Sequence, residues 1–395
     1  MRGYHRQDFI LAITIFGLVI IGLIMVSSAS LVQSLDNAGS PYYYVIRQGA
    51  YAGIGLLLWW FFSKLDYRIF KRYATVIFGA GLVFLVAVLV PGLSLEAGGA
   101  KRWIHLGPIT FQVSEYVKLA TVIYLAWWFE KKGSAIVDMY KTFLPFVGLV
   151  GMVFLLIMQQ PDLGTTMVVA AIAGSMYFVA GATMGQIGAI VGTGVLAATA
   201  LIYAAPYRLR RLLTFLNPGA DPLGAGYHIN QALLAIGSGG LFGLGYGHSR
   251  QKFAYLPEAA SDSIFAIIGE ELGLIGAFFL VILPITVIVW RGLIIARTAP
   301  DTFGRLLALG ITAWIGFQAA LNMGAIVGVV PLTGVPLPFI SLGGTSLVFM
   351  LVASGILLNI SKQTIASPKD ENPLIGWWDW RSYYASARGR SKHQR

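Results

Sequence analysis

The chain has 395 residues, 57% hydrophobic and 11% charged, with a mean hydropathy of +0.73; a soluble domain carries about 25% charged residues, so this composition marks a polytopic membrane protein. Lys and Arg number 28 against 17 Asp and Glu, a net charge of +11, which reads first as membrane topology and does not require nucleic acid. The absence of cysteine excludes disulfides and a cysteine nucleophile, and His5, His105, His228, His248 and His393 are too scattered for a zinc site.

Crossing a bilayer takes about 20 apolar residues in a helix. Ten stretches qualify: 9–29, 48–62, 74–91, 112–129, 143–158, 165–182, 187–205, 264–290, 304–327 and 344–361. The expected fold is an all-α polytopic membrane protein of ten transmembrane helices, spanning 1–366, followed by a basic, aromatic cytoplasmic tail at 367–395. The first stretch lacks a cleavage site and reads as a retained span. With the N-terminus inside, 19 of the 28 bases fall in cytoplasmic segments, while short outer loops hold only Arg47, Lys101 and Arg102. Both termini are therefore expected in the cytoplasm. Small-residue spacings such as Gly49 to Gly53 read as helix packing.

Carboxylates in or beside a bilayer are costly and persist when paired, at an interface or in use. Glu115 and Lys118, three residues apart in the fourth span, share a helix face; spacing alone fits a buried ion pair or a polar cavity. Asp162, in a short outer turn, can cap the sixth span.

The large extracytoplasmic loop between spans seven and eight, 206–263, opens with Tyr207-Arg208-Leu209-Arg210-Arg211, a basic run on the side where bases are rare. Such a run calls for an anionic partner. Residues 227–242 suit an interfacial helix, and the glycines from Gly237 to Gly247 suggest a flexible return. That stretch lacks the glycine registers of nucleotide sites. The loop re-enters the membrane through Pro257-Glu258-Ala259-Ala260-Ser261-Asp262-Ser263, where Asp262 fits either a helix cap or a base. Glu270 and Glu271 follow, and at least one must turn away from lipid. Before span ten, residues 331–346 contain three prolines, three glycines and no charge. Broken apolar backbone of this kind has to pack in protein or line a cavity.

Five blocks in order carry a resemblance: Lys101-Arg102-Trp103-Ile104 with Leu106-Gly107-Pro108; Phe111-Gln112-Val113-Ser114-Glu115 with Lys118; Gln160-Pro161-Asp162-Leu163-Gly164-Thr165; Leu256-Pro257-Glu258 with Asp262; and Pro336-Leu337-Pro338-Phe339-Ile340-Ser341 with Gly343-Gly344. The chain resembles the SEDS family of peptidoglycan glycosyltransferases, the FtsW/RodA/SpoVE group. Gly247-His248-Ser249-Arg250-Gln251-Lys252-Phe253 running into Tyr255 is similar to the FtsW and sporulation branch. Three departures stand out: Val113 for the usual Pro, Ala260-Ser261-Asp262-Ser263 for His-Thr-Asp-Phe, and Leu342 for Tyr.

The resemblance implies polymerisation of lipid II at the outer face of the bacterial cytoplasmic membrane, in cell division, alongside a class B penicillin-binding protein and other divisome or elongasome proteins. Asp262 matches the family's essential aspartate, and Glu115 and Lys118 its buried pair. Asp262 is then the expected base. Lys101, Arg102, Arg208, Arg210 and Arg211 are candidates to hold the pyrophosphate, and with Glu115, Lys118, Asp162, Glu258 and Ser341 they make up the expected substrate-binding set. No cofactor is required, though a divalent cation could bridge Asp262 and the pyrophosphate. A RodA-like polymerase serving elongation, a flippase for a lipid-linked sugar and a catalytically silent scaffold are the rival readings.

Overall fold

The computed structural model describes residues 7–364, leaving out 91–93, 98–99, 107–108, 204–205, 218, 220, 223, 225 and 254. The tail at 367–395 lies outside the described residues, as do the side chains of Lys101 and Arg208.

Helices occupy every predicted span. They are α1 (Phe9–Ala29), a short α2 (Leu31–Ala38), α3 (Tyr43–Lys64), α4 (Arg68–Leu89), α5 (Val113–Lys132), α6 (Leu144–Met158, entered by a π turn at Met139–Phe143), α7 (Leu163–Ala180) and α8 (Met184–Tyr203). Then come α9 (Pro206–Leu216), α10 (Tyr227–Gly239), α11 (Ile264–Ala277), α12 (Leu283–Thr298), α13 (Thr302–Ile326) and α14 (Gly344–Lys362). Among the described residues, seven helical stretches are long and apolar enough to cross a membrane. α5 misses that measure because it carries Glu115, Lys118, Glu130, Lys131 and Lys132. Carboxylates start several helices: Asp8 accepts from the Leu11 amide at 3.1 Å, and Asp301 from the Gly304 amide at 2.7 Å.

α14 is buried along most of its length and packs on α3. Gly49 and Gly53, expected at a helix contact, face open space; the close approach on α3 is at Gly55, where a Cβ would come 2.6 Å from Leu351. At the end of the bundle where α1, α4 and α13 begin, Arg291 pairs with Asp8 at 2.7 Å, Lys71 with Glu130 at 2.8 Å, and Tyr67 donates to Asp301 at 2.6 Å.

The opposite end corrects the all-α expectation. A three-stranded antiparallel sheet, β1 (Ser94–Ala97), β2 (Ala100–Leu106) and β3 (Ile109–Gln112), lies between α4 and α5. Its signal was short: two runs rich in β-branched and aromatic residues, Trp103-Ile104 and Ile109-Thr110-Phe111, on either side of a Gly-Pro dipeptide in the sequence. Phe111 seats the sheet against Phe84, Tyr116 and Phe349, and the Thr345 hydroxyl donates to the Thr110 carbonyl at 2.8 Å.

The glycine-rich return after α10 is built into the bundle instead of hanging loose. α11 breaks at Gly273, whose φ of +69° suits glycine. The break frees backbone groups that the return satisfies: Leu244 and Gly245 donate to Glu270 and Glu271 carbonyls at 2.9 Å, and Leu274 and Ile275 donate to Gly240 and Leu241 at 2.9 and 3.1 Å. In an apolar surround unpaired backbone is costly, and this pairing pins the loop. Both glutamates are buried, with Glu270 accepting from Ser249 and Arg250, and Glu271 from Ser28 and from Lys252 at 3.1 Å. Their role is to fasten the loop to α1 and α11.

Candidate functional site

A cavity of about 310 Å³ opens at the sheet end of the bundle. α9 contributes Arg211, Thr214 and Phe215; α10 contributes His228 and Ile229; the turn before α11 contributes Glu258 and Asp262; and the broken segment before α14 contributes Leu332 and Gly334. These four pieces are far apart in sequence, and only tertiary packing joins them.

The broken segment is packed in protein, as its uncharged composition requires. Val335, Leu337, Phe339 and Ile340 are all buried. Its polar backbone is satisfied by amides on α13: Gln318 Nε2 donates to Pro336 O at 2.9 Å, and Asn322 Nδ2 donates to Val335 O at 2.8 Å. Two amide side chains one turn apart in an apolar helix were a readable signal for this role.

The same segment grips the turn that carries Asp262. Ser341 accepts from the Leu337 amide at 2.8 Å and donates to Ser261 O at 2.6 Å, so its hydroxyl is a clamp between the two segments. Leu342 N donates to Ala260 O at 2.9 Å, and Asn322 Nδ2 donates to Asp262 O at 2.8 Å. Three consecutive carbonyls are held, and each hold is on backbone.

This arrangement decides between the two readings of Asp262. The N-cap residue of α11 is Ser263, and its hydroxyl makes no capping bond. Asp262 neither caps the helix nor lends its carboxylate to a hydrogen bond among the described residues. Beside it, Gly334 has φ +70°, and a Cβ there would lie 3.3 Å from Asp262 Oδ2. A glycine keeps this wall of the cavity open.

Burial pushes the Asp262 carboxyl up to about 6, reinforced by Glu258 and Asp162 and opposed by Arg102 and Arg211. Glu258 itself sits at φ +49°, a conformation uncommon for a non-glycine residue, in a turn closed by Ser261 N and Ser263 N on its carbonyl at 3.1 Å. Ser261 Oγ donates to Glu258 Oε2 at 2.7 Å. A carboxylate with a pKa near working pH, in a cleft edged by arginine, can take a proton while an anion is held beside it.

The other predicted residues divide. Arg211 lines the cavity, whereas Arg210 is exposed and outside its lining. Asp162 caps α7, accepting from Thr165 N at 3.0 Å, and lies 3.8 Å from Arg102 Nε. Arg102 donates to Gln160 O and Pro161 O at 3.2 and 2.6 Å, tying the sheet to the α6–α7 turn. Glu115 and Lys118 form the buried pair, 2.7 Å apart and each 1% exposed, and they do not line the cavity. A chain of bonds runs from this pair through α13 to the broken segment: Lys118 Nζ donates to Gln318 Oε1 at 2.7 Å, and Gln318 in turn holds Pro336. The residues that sequence reasoning missed are His228 and Gln318, and for His228 there was no periodicity or spacing to read.

The FtsW/RodA/SpoVE family, described as "Cell cycle protein", matches residues 9–366. The stage V sporulation protein E of Bacillus subtilis (strain 168) is 42% identical over 355 residues, covering 90% of this chain and 97% of that protein. The probable peptidoglycan glycosyltransferase FtsW of Coxiella burnetii is 40% identical over 363 residues, covering 90% of this chain and 96% of that protein. Among solved structures, a chain from a peptidoglycan synthase complex that coordinates polymerization and crosslinking superposes with a TM-score of 0.74 at 29% identity, covering 91% of this chain and 99% of that one.

Proposed function

The chain belongs to the FtsW/RodA/SpoVE family, and from that premise we propose that it is a peptidoglycan glycosyltransferase that polymerises lipid II in cell division. The observation that carries this reading is the carboxylate of Asp262: clamped only through its backbone, raised to about 6 and facing a cavity edged by Arg211.

In the proposed reaction Asp262 takes the proton from the 4-hydroxyl of the acceptor sugar. That oxygen attacks the anomeric carbon of the donor, the bond from this carbon to the pyrophosphate oxygen breaks, and undecaprenyl pyrophosphate leaves with configuration inverted. The leaving group is already a stable anion, so cations matter more than a general acid. Arg211 is placed for this work, with Arg208, Arg210 and Lys101 close by in sequence or on the same face of the bundle. Arg102, Asp162, Glu115, Lys118 and Ser341 shape the site through carbonyls and buried pairs.

We place the protein in the cytoplasmic membrane with ten spans and both termini inside. The division of basic residues supports this orientation, and the helices supply a segment for each span. The relative in a synthase complex supports a transpeptidase partner of the penicillin-binding class.

Purified protein with its transpeptidase should convert lipid II into glycan strands, read by gel electrophoresis. Movement of labelled lipid II across vesicles without polymer would overturn the reading in favour of a flippase. The rate should also follow the ionisation of the base. Because the Asp262 carboxyl is raised from an ordinary 3.8 to about 6, the active carboxylate is lost as pH falls through 6. About a tenfold lower rate is expected at pH 5 than on the plateau reached near pH 8, against little change for an unshifted aspartate. A flat profile from pH 5 to 8 would remove Asp262 from the role of base.

A further inference from the structure

The hydroxyl of Ser263 poses a question of proton counting. Ser263 is the N-cap residue of α11, and serine there normally accepts from a helix amide, a contact worth about 1 kcal/mol. Here the hydroxyl points the other way. It donates to Pro257 O at 3.0 Å and meets His228 Nε2 at 2.7 Å.

A serine hydroxyl has one proton, and a carbonyl can only accept. With that proton on Pro257 O, the bond to His228 must be donated by the ring: Nε2 carries hydrogen, and Ser263 Oγ accepts. The chain therefore runs from His228 Nε2–H to Ser263 Oγ–H to Pro257 O, from α10 across both ends of the turn that presents Glu258 and Asp262. The ring is mostly buried in the cavity wall. Burial lowers the His228 pKa, Arg211 lowers it further and Glu258 opposes, so the ring stays neutral at neutral pH and keeps a single N–H to give.

The other holds on this turn, from Ser341, Asn322 and Leu342, all come from the α13–α14 side. His228 supplies the hold from the opposite wall, and it acts on the residue directly after Asp262. A helix cap is given up to make that hold, which is the kind of local compromise that marks a functional position.

We propose that His228 is a positioning residue for glycosyl transfer, setting through Ser263 the height at which Asp262 stands in the cavity. This rests on Asp262 being the base. A misplaced base costs rate far more than substrate affinity, and displacements of about 1 Å have been worth roughly a hundredfold.

The test uses the full-length protein with its transpeptidase, following lipid II polymerisation, kcat and KM, with melting temperature measured for every variant. His228→Ala and Ser263→Ala should each lower kcat about tenfold or more while KM stays within twofold. The double variant should be no slower than the slower single, since both break one chain. His228→Gln places an amide nitrogen near the position of Nε2 and should restore kcat to within about threefold of wild type. His228→Asn, too short to reach Ser263, should not, at the same melting temperature as the glutamine variant. Rescue by Asn but not Gln would overturn the proposal and make the ring's other nitrogen a substrate contact. Multiplying effects in the double variant, or wild-type kcat in His228→Ala, would overturn it too. If wild-type protein made no polymer, the failure would lie with the glycosyltransferase reading.

Discussion

Asp262→Asn should stop glycan-strand synthesis, lowering the rate by about 10²- to 10⁴-fold, the contribution of a positioned general base. The substitution isolates chemistry from structure because every hold on this residue is on backbone. Asn322 grips the Asp262 carbonyl, Ser341 the Ser261 carbonyl and Leu342 the Ala260 carbonyl, and none of these changes in the variant. Nor does α11 lose a cap, since its N-cap residue is Ser263. Stability should move the opposite way from activity. A carboxyl raised from 3.8 to about 6 holds its proton more tightly in the folded chain. Folding is therefore favoured below 3.8, loses that advantage as pH rises to 6, and carries the cost of the buried charge above 6. The neutral amide avoids this cost, so the variant should melt no lower than wild type at pH 8. Polymerisation by Asp262→Asn at the wild-type rate would end the assignment of the base.

Lys118→Met should destabilise the protein by about 3–5 kcal/mol, the penalty for stranding one member of a buried ion pair. Lys118 Nζ gives hydrogen bonds to Glu115 Oε1 and Gln318 Oε1, both at 2.7 Å, and pair and partner are sealed from solvent. Methionine fills most of the space of lysine, one heavy atom shorter, but leaves the Glu115 carboxylate without its counter-charge. Glu115→Gln combined with Lys118→Met removes both charges and should recover much of the loss. Thermal melts of the single and double variants in detergent check this, and equal losses in both would show that the pair is not the source. Activity should fall as well, because Gln318 also receives a bond from Trp314 and holds the Pro336 carbonyl beside the Asp262 turn. One amide on α13 is thus the expected link between the buried pair and the cavity.

Much of the architecture was legible because its causes are local. Twenty apolar residues in a row, an aspartate before a helix as at Asp162, and a proline-rich uncharged segment at 331–346 each constrain the chain without reference to anything distant. The sheet at 94–112 escaped notice because its strands are short and its pairing signal spans few residues. The glycines of the return were misread for a related reason: a run of glycines looks like freedom in sequence, whereas Gly243 is set where the return meets the backbone of α11 at Glu271 and Gly273. Gly49 and Gly53 show the converse, a packing spacing that no helix among the described residues meets.

Sequence alone determined the membrane-embedded class and the uneven placement of charge along the chain, and it singled out the block around Asp262. Each follows from transfer energies that a residue carries wherever it lies: apolar side chains favour lipid, and charges resist it. Tertiary structure decided the roles within that block. Whether Asp262 caps a helix or stands free depends on Asn322, Ser341 and His228, which lie 35 to 80 residues from the turn they hold. Hydrogen bonds act over about 3 Å and are made to whichever backbone the fold brings within reach, so whether the carboxylate caps a helix or is left free was set by packing between segments and not by its neighbours in the chain.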